Sequence, residues 1–251
     1  MIDETRDALA TARSTGAATP SRRAISLLKG YELGRALERE RIAGGWRRVG
    51  WKLGFTNQDL WAALGLDQPF RAPVYTETLA QDRIEADGLV QPRIEPEIVL
   101  GIGRDVPAGS SRSEIAASIQ WAAAGREVVQ CHFEGWEMSP AEAVADAGLH
   151  AALAIGPRLE ITAAEATALS ACECVLLCNG RPVATGRGTN VLGGPLEALG
   201  WLLRDLPDGL RAGEFVTTGT LTPAMPIQQG QTWTHSSSGS VTLQTAELSF
   251  T

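Results

Sequence analysis

Hydrophobic positions recur at helical spacing in the first part of the chain and alternate more often further on. Residues 2–14 form one such helical pattern, and a second helix is predicted from Ser21, its expected N-cap, to about Ala43. Gly44 and Gly45 end it. After this point, short apolar runs bounded by turn residues predict strands. Helices first and strands later favour an α+β fold with a large mixed sheet.

The later elements follow from the same patterns. Asn179 and Gly180 lie between two apolar runs and predict a hairpin with a type I′ turn, in which both residues have positive φ. Residues 67–73 contain two prolines and are expected to form a loop. Strands are predicted at 46–55, 74–79, 93–102, 126–131, 151–155, 173–177, 182–185 and from Arg211, with a last hairpin over 230–250. Helices are predicted at 57–66, 113–125, from Ser139 and at 194–203.

Two acids in the predicted strand at 93–102 are candidate ligands for a cation. Glu95 and Glu97 are two residues apart, so both side chains point to the same face of the strand. The apolar residues around them indicate burial, and buried carboxylates stay charged only beside a cation. A hard divalent ion is one such partner. Solvated or salt-bridged glutamates are the alternative that this spacing alone leaves open.

Lys52 lies in the strand at 46–55, on the face opposite its apolar residues. Gly50 and Gly54 are its neighbours on that face, and the absence of side chains there leaves room for a ligand beside the ammonium group. A solvent-facing lysine on an exposed sheet is the alternative.

Composition narrows the class of protein. The 251 residues, 44% of them hydrophobic, can bury a substantial core. A net charge of -7 argues against a general binder of nucleic acid or anionic membranes, because the basic pairs Arg22–Arg23 and Arg47–Arg48 are too sparse for either. No run is long enough to span a membrane and no secretory signal is recognisable, so we expect a cytoplasmic protein. No glycine-rich phosphate motif is present, which argues against a nucleotide cofactor.

Three of the four cysteines are close together in apolar, strand-like sequence. Cys172, Cys174 and Cys178 share a face, which makes a zinc site conceivable, while Cys131 is isolated. The spacing lacks a CxxC pair, and buried reduced thiols are the interpretation that we favour.

Six ordered segments carry a family resemblance. They are GWKLGFTN at 50–57, RIEPEIVLGIGRDV at 93–106, EVVQ at 127–130, AVADAGLHAALAIGP at 143–157, ATGRGTNVLGGPLEALGWLL at 184–203 and RAGEFVTTGTLTP at 211–223. Together they resemble the 2-keto-4-pentenoate hydratase and 4-oxalocrotonate decarboxylase group of the fumarylacetoacetate hydrolase-like superfamily. The resemblance implies a mixed β-roll with N-terminal and flanking helices. It also implies one domain over 1–251, with 1–45 as an N-terminal helical segment.

The resemblance also implies a set of site residues. Mg²⁺ or Mn²⁺ is expected on Glu95, Glu97 and Glu127, and Lys52 is expected to bind the substrate carboxylate or move a proton. The expected pocket-lining, substrate-binding residues are Gly188, Thr218, Gly219 and Thr220.

Two departures from the family pattern affect the expected proton chemistry. In the loop at 67–73 the acid that the hydratases carry is missing, because the nearby Asp67 does not occupy the matching position. The family's V-A-D-N-A-S reads VADAGL at 144–149, followed by His150. His150 is therefore expected as a replacement proton carrier, with a hydrogen-bonded core histidine as the alternative. His132 and His235 are interpreted as surface or structural residues.

The expected activity is metal-dependent hydration of a small 2-oxo or 2-hydroxydienoate acid through a metal-stabilised enolate. Decarboxylation of a 2-oxo-3-enedioate is the first alternative, with Arg71 or Arg187 receiving the second carboxylate. A C–C bond hydrolase and a non-catalytic partner subunit are the others. We expect a homo-oligomer, associated in one alternative with a related decarboxylase or hydratase.

Overall fold

The computed structural model describes residues 2–21 and 25–251, so the basic pair Arg22–Arg23 lies outside the described residues. The helices of this part of the chain are α1 (Ile2–Thr15), α2 (Leu27–Ala43), α3 (Trp61–Leu64), α4 (Arg112–Ser118), α5 (Pro140–Ala145), α6 (Ala163–Ala168) and α7 (Pro195–Asp205). The strands are β1 (Arg48–Gly54), β2 (Phe70–Tyr75), β3 (Leu79–Ala80), β4 (Arg83–Ile84), β5 (Arg93–Ile102), β6 (Ile119–Val129), β7 (His150–Ile155), β8 (Leu159–Glu160), β9 (Glu173–Cys178), β10 (Arg181–Arg187), β11 (Phe215–Thr220), β12 (Met225–Pro226), β13 (Thr232–Ser238) and β14 (Leu248–Phe250).

Two mixed sheets form the centre of the fold. Among the described residues, the larger sheet has the strand order β2-β1-β11-β5-β6-β7-β3, with β12 added to β5 and β8 added to β6. Strands β1 and β11 run parallel, whereas β11, β5, β6 and β7 pair antiparallel in turn. The smaller sheet has the order β10-β9-β13-β14-β4. This architecture confirms the prediction of an α+β fold with a mixed β-roll and flanking helices.

Hydrophobic clusters join these layers. One lies between the larger and the smaller sheet, where Ile94 and Val128 pack with Leu176 and Trp233. A second joins the larger sheet to α4, α6 and α7. A third includes buried residues of α1 and α5 with Phe70. None of the helices in the described part of the chain combines the length and apolar composition that crossing a bilayer requires.

Several local predictions are confirmed. Strand β5 has the predicted bounds, and α5 begins at a capping box formed by Ser139 and Glu142. The β9–β10 hairpin turns at Asn179 and Gly180, whose φ angles are 49° and 74°, as a type I′ turn requires.

Three element boundaries were predicted wrongly. The helix expected at 113–125 ends at Ser118, and β6 follows it directly. Strand β2 begins at Phe70, inside the expected loop, and a 3₁₀ turn then separates it from β3. The N-cap of α2 is Ser26 rather than Ser21, and its hydroxyl accepts a hydrogen bond from the backbone N–H of Lys29.

The glycines beside Lys52 make room for aromatic rings rather than for a ligand, so the predicted reason for their lack of side chains is wrong, although Lys52 and Gly54 do line a cavity. A Cβ atom at Gly50 would contact the ring of Phe215, and one at Gly54 would contact the ring of Phe70. Residues 50 and 54 are glycines because the rings of Phe215 and Phe70 fill the space that their side chains would need.

All four cysteines are free thiols. Cys131, Cys172 and Cys174 are buried, and Cys178 is partly exposed. Burial raises the pKa of Cys131 and Cys174 to about 12, so both remain protonated. The cysteines do not form a metal-binding group in the part of the chain that the structure describes.

Candidate metal centre and cavity

Three glutamates from adjacent antiparallel strands converge on one point. Glu95 of β5 lies directly opposite Glu127 of β6, and Glu97 lies one step further along the same face of β5. One oxygen from each carboxylate lies within 4.8 Å of the others, close enough for all three to contact one ion. Glu97 and Glu127 are fully buried.

Among the residues that the structure describes, one oxygen of Glu97 and one of Glu127 have no hydrogen-bond partner. Oε2 of Glu97 accepts hydrogen bonds from the hydroxyl of Thr217 and, at 2.8 Å, from the backbone N–H of Gly219, whereas its Oε1 has no partner. Oε2 of Glu127 is likewise buried and unpaired. Unpaired buried carboxylate oxygens are costly without a cation, so this donor set fits a hard divalent ion.

The pKa values of the three acids respond to this crowding in different directions. Burial raises the pKa of Glu95 to about 7 and that of Glu97 well above its ordinary value, and the charge of Glu127 adds to both effects. Burial also acts to raise the pKa of Glu127, but Lys52 and His150 outweigh it and lower that pKa to about 2. Glu127 is therefore the most persistent anion of the three.

Lys52 is buried beside these acids, and the alternative of a solvent-facing lysine is wrong. Its Nζ lies 3.0 Å from Oε1 of Glu127, and the side chain is only 2% exposed. Burial favours the neutral amine, but the charges of Glu127, Glu95 and Glu97 outweigh this and raise the pKa above its ordinary value. The group is an ammonium in the metal-free protein.

A cavity of about 420 Å³ opens on Lys52 and Glu95. Its polar lining includes Lys52, Thr56, Asn57, Arg93, Glu95 and Thr220. Its apolar lining includes Phe55, Leu66, Phe70, Trp136, Met138 and Leu149. A volume of this size accommodates a small organic acid.

The remaining expected pocket residues occupy different positions. Gly219 contributes its backbone N–H to Glu97, but the hydroxyl of Thr218 donates to the backbone oxygen of Ile98 at 3.0 Å. Gly188 is buried against the backbone of Leu169 and is not among the residues that line the cavity. Of these residues, Thr220 lines the cavity and Gly188 does not.

His150 is fully buried behind Glu127. Its Nδ1 lies 2.8 Å from Oε1 of Glu127, and its Nε2 lies 2.8 Å from the hydroxyl of Thr78. Burial lowers the pKa of His150, although Glu127 opposes the shift. A neutral imidazole therefore donates from Nδ1 to the carboxylate. The side chain does not line the cavity, an arrangement that matches the alternative of a hydrogen-bonded core histidine.

Sequence reasoning missed four residues around the site. Thr217 bonds Glu97, Thr78 bonds His150, and Thr56 and Arg93 line the cavity. Arg93 and Thr56 could have been found from the sequence, because Arg93 shares the face of Glu95 and Thr56 continues the face of Lys52. Thr217 and Thr78 had no comparable signal.

The two arginines considered for a second carboxylate lie elsewhere. Arg71 forms an ion pair with Asp205, with Nε 2.6 Å from Oδ2, and its guanidinium packs over Trp51. Arg187 is 71% exposed and pairs with Glu173. Neither lines the cavity, so the structure does not support that expectation.

The mixed β-roll, with three converging carboxylates beside a cavity, indicates an enzyme of the fumarylacetoacetate hydrolase-like class. The chain belongs to the fumarylacetoacetate (FAA) hydrolase C-terminal family, whose model matches residues 62–246. A 2-hydroxyhexa-2,4-dienoate hydratase of Comamonas testosteroni is 29% identical over 89% of this chain and 87% of its own length. A 2-keto-4-pentenoate hydratase of Paraburkholderia phymatum is 32% identical, with coverage of 77% and 76%.

Solved structures share the fold. The 4-oxalocrotonate decarboxylase of Pseudomonas putida G7, complexed with magnesium and adipate, matches with a TM-score of 0.90 and 23% identity over 100% of this chain and 97% of that one. The fumarylpyruvate hydrolase of Pseudomonas aeruginosa, in complex with Mn²⁺ and pyruvate, matches with a TM-score of 0.62 and 14% identity, covering 81% of this chain and 89% of that one.

Proposed function

We propose that this protein is a divalent-metal-dependent hydratase that acts on a small 2-oxo or 2-hydroxydienoate acid. The observation that carries the proposal is the convergence of three carboxylates, two of them buried and each of those with an unpaired oxygen among the described residues. They lie beside a buried lysine and a cavity large enough for a small organic acid. The hydratases among its relatives act on compounds of this class according to their names.

Glu95, Glu97 and Glu127 would hold Mg²⁺ or Mn²⁺. Such an ion would polarise the keto oxygen of a 2-oxo acid and stabilise negative charge that develops on it. The two unpaired carboxylate oxygens are the feature of this structure that fits the ion, because they are buried and no cationic group of the described residues lies within hydrogen-bonding distance of them.

The chain's own groups would bind and orient the acid. Lys52 lines the cavity next to Glu95, and we propose its Nζ as the partner of the substrate carboxylate and as the proton carrier. Thr56 also lines the cavity, and its buried hydroxyl has no hydrogen-bond partner among the described residues, so we propose it as a donor to a substrate oxygen. His150 orients Glu127 from behind, and we propose it as a positioning residue.

The decisive experiment measures hydration of 2-hydroxypenta-2,4-dienoate by the purified chain with and without Mg²⁺. Turnover is expected only with the ion, and Glu95→Gln should abolish both ion binding and turnover. Glu173→Gln, at an acid that is 62% exposed, is the matched control and should retain both. Full activity of Glu95→Gln without metal would contradict the proposal.

A 2-oxo-3-enedioate decarboxylase is the second candidate, because Arg93 presents a cationic group to the cavity. Release of carbon dioxide from unsaturated dioic acids, measured on the same preparation, separates it from the hydratase. Inactivity of the purified chain in both assays, despite ion binding, would favour a non-catalytic partner subunit.

A further inference from the structure

Arg93 lines the cavity without a direct ion pair, although its charge acts on the nearby Glu95. Within 2–21 and 25–251 its guanidinium makes neither a hydrogen bond nor an ion pair. Its contact is instead the ring of Trp136, whose centroid lies 4.3 Å from Cζ. Arg71 is also stacked on a tryptophan, but its charge is satisfied by Asp205.

The position of Arg93 relative to Glu95 indicates which part of a ligand it faces. The two residues share one face of β5, and a spacing of two residues corresponds to roughly 7 Å along a strand. The guanidinium is stacked on Trp136 and does not pair with the nearby carboxylate of Glu95. The cation is thus held further along the cavity than the carboxylates, on the side of Trp136.

The loop that carries Trp136 is built to hold this ring in place. The indole N–H donates to the backbone oxygen of Gln91 at 3.0 Å, and the Gln91 side chain bonds the backbone of Cys131, Phe133 and Gly135. Gln91 and Trp136 both adopt positive φ, at 50° and 63°, which is unfavourable for side-chain-bearing residues. Such strained positions concentrate at ligand sites.

We propose that Arg93 binds a second carboxylate of the substrate, so that the natural substrate is a 2-oxo or 2-hydroxydienoic dioic acid. This assignment rests on the proposed function, which places the 2-oxo acid end at Glu95, Glu97 and Glu127. A guanidinium stacked on an indole keeps its edge free for a carboxylate, with which it forms two parallel hydrogen bonds. Packing against Trp136 also limits the side-chain entropy lost on binding.

The test uses two six-carbon acids that differ in one group. With the full chain in Mg²⁺, calorimetric titration compares 2-oxoadipate, which has a second carboxylate, with 2-oxohexanoate, which does not. The wild type should bind 2-oxoadipate at least about tenfold more tightly, as one charged hydrogen-bonded pair implies. Arg93→Met should lose this preference while binding 2-oxohexanoate as the wild type does.

Arg158→Met is the matched control. Arg158 also stacks on a tryptophan, with Cζ 4.3 Å from the Trp121 ring, but it is exposed and does not line the cavity. This variant should retain the preference for 2-oxoadipate. Two outcomes would overturn the role of Arg93 and leave the proposed function intact. One is equal, Mg²⁺-dependent binding of both acids by the wild type, and the other is an unchanged preference in Arg93→Met. Absence of Mg²⁺-dependent binding of both acids would instead overturn the proposed function and the assignment with it.

Discussion

Lys52 and Glu127 form a buried ion pair at the inner end of the cavity, with Nζ 3.0 Å from Oε1 and exposed side-chain fractions of 2% and 0%. The pair joins β1 to β6, two strands that are not neighbours in the sheet. Its oxygen Oε1 also contacts His150, so a single carboxylate oxygen connects the lysine to the histidine. Without a metal, Lys52 is therefore the counter-ion for the carboxylates of Glu95, Glu97 and Glu127.

Lys52→Met should therefore destabilise the metal-free protein more than the metal-bound protein. Removing one member of a buried ion pair costs on the order of 3 kcal/mol, because the other charge remains buried. Mg²⁺ supplies the missing positive charge, so the rise in Tm on adding Mg²⁺ should be larger in the variant. Thermal unfolding with and without the ion measures both effects.

Lys29→Met provides the control for that experiment. Lys29 pairs with Glu32 at the surface, with exposed fractions of 48% and 41%, and such pairs contribute at most about 1 kcal/mol. Its Tm and its response to Mg²⁺ should match the wild type. Equal stability of the two methionine variants without metal would contradict the role given to Lys52.

Thr217→Val should weaken ion binding, because the Thr217 hydroxyl orients Glu97. Loss of a group that positions a metal ligand lowers metal affinity by roughly 10- to 100-fold. Thr218→Val removes the neighbouring hydroxyl, which bonds the backbone of Ile98, and should leave the affinity unchanged. Both variants lose one buried hydrogen bond, so their unfolding free energies should fall by a similar amount, about 1 kcal/mol. Calorimetric titration with Mn²⁺ distinguishes them, and equal affinities would refute the prediction.

The different contacts of Thr217 and Thr218 could not be predicted from the sequence. Alternation along β5 predicts that Glu95 and Glu97 share a face. It does not predict which threonine of β11 meets Glu97, because the register between β11 and β5 shifts between Thr217 and Thr220. A one-residue change in register moves a side chain to the opposite face.

The prediction of a helix at 113–125 was wrong after Ser118 for a related reason. Strand β6 is buried on both faces over almost its whole length, so it lacks the polar alternation by which a strand is recognised. Its alanines at 122–124 also favour a helix intrinsically. Tertiary contact decides the outcome, since a side chain at Gly101 would overlap the Trp121 ring of the paired strand.

His150→Gln should lower ion affinity without changing the shape of the pH–rate profile. The imidazole reaches Glu127 and Thr78 but not the cavity, so its removal disturbs the orientation of a ligand. We expect a loss of affinity of about tenfold. His132→Gln, at a buried histidine that pairs with Asp146, should leave the affinity intact. Loss of one limb of the profile in His150→Gln alone would instead identify His150 as a proton carrier.

His235 is predicted to make the fold sensitive to acid. It is fully buried between the sheets, and neither ring nitrogen has a hydrogen-bond partner in the part of the chain that the structure describes. Burial, with a contribution from the charge of Arg126, lowers its pKa from 6.5 to about 3. As the pH falls below 6.5, the unfolded chain binds a proton that the folded chain cannot bind until about pH 3. The contribution of neutral His235 to the unfolding free energy is therefore complete above pH 6.5. It is lost as the pH falls below that value, by up to about 1.4 kcal/mol per pH unit.

His235→Leu removes this dependence and leaves the other titrating groups in place. Urea denaturation measures the unfolding free energy of variant and wild type at each pH. Between pH 7.5 and pH 4.5 the wild type should lose more stability than the variant, so the advantage of the variant should grow as the pH falls. At pH 7.5 the variant should be at least as stable as the wild type, because an apolar side chain replaces a buried polar group without partners. A difference that stays constant across this range would show that the folded protein accommodates the charged imidazole, and that the neutral state of His235 does not limit acid stability.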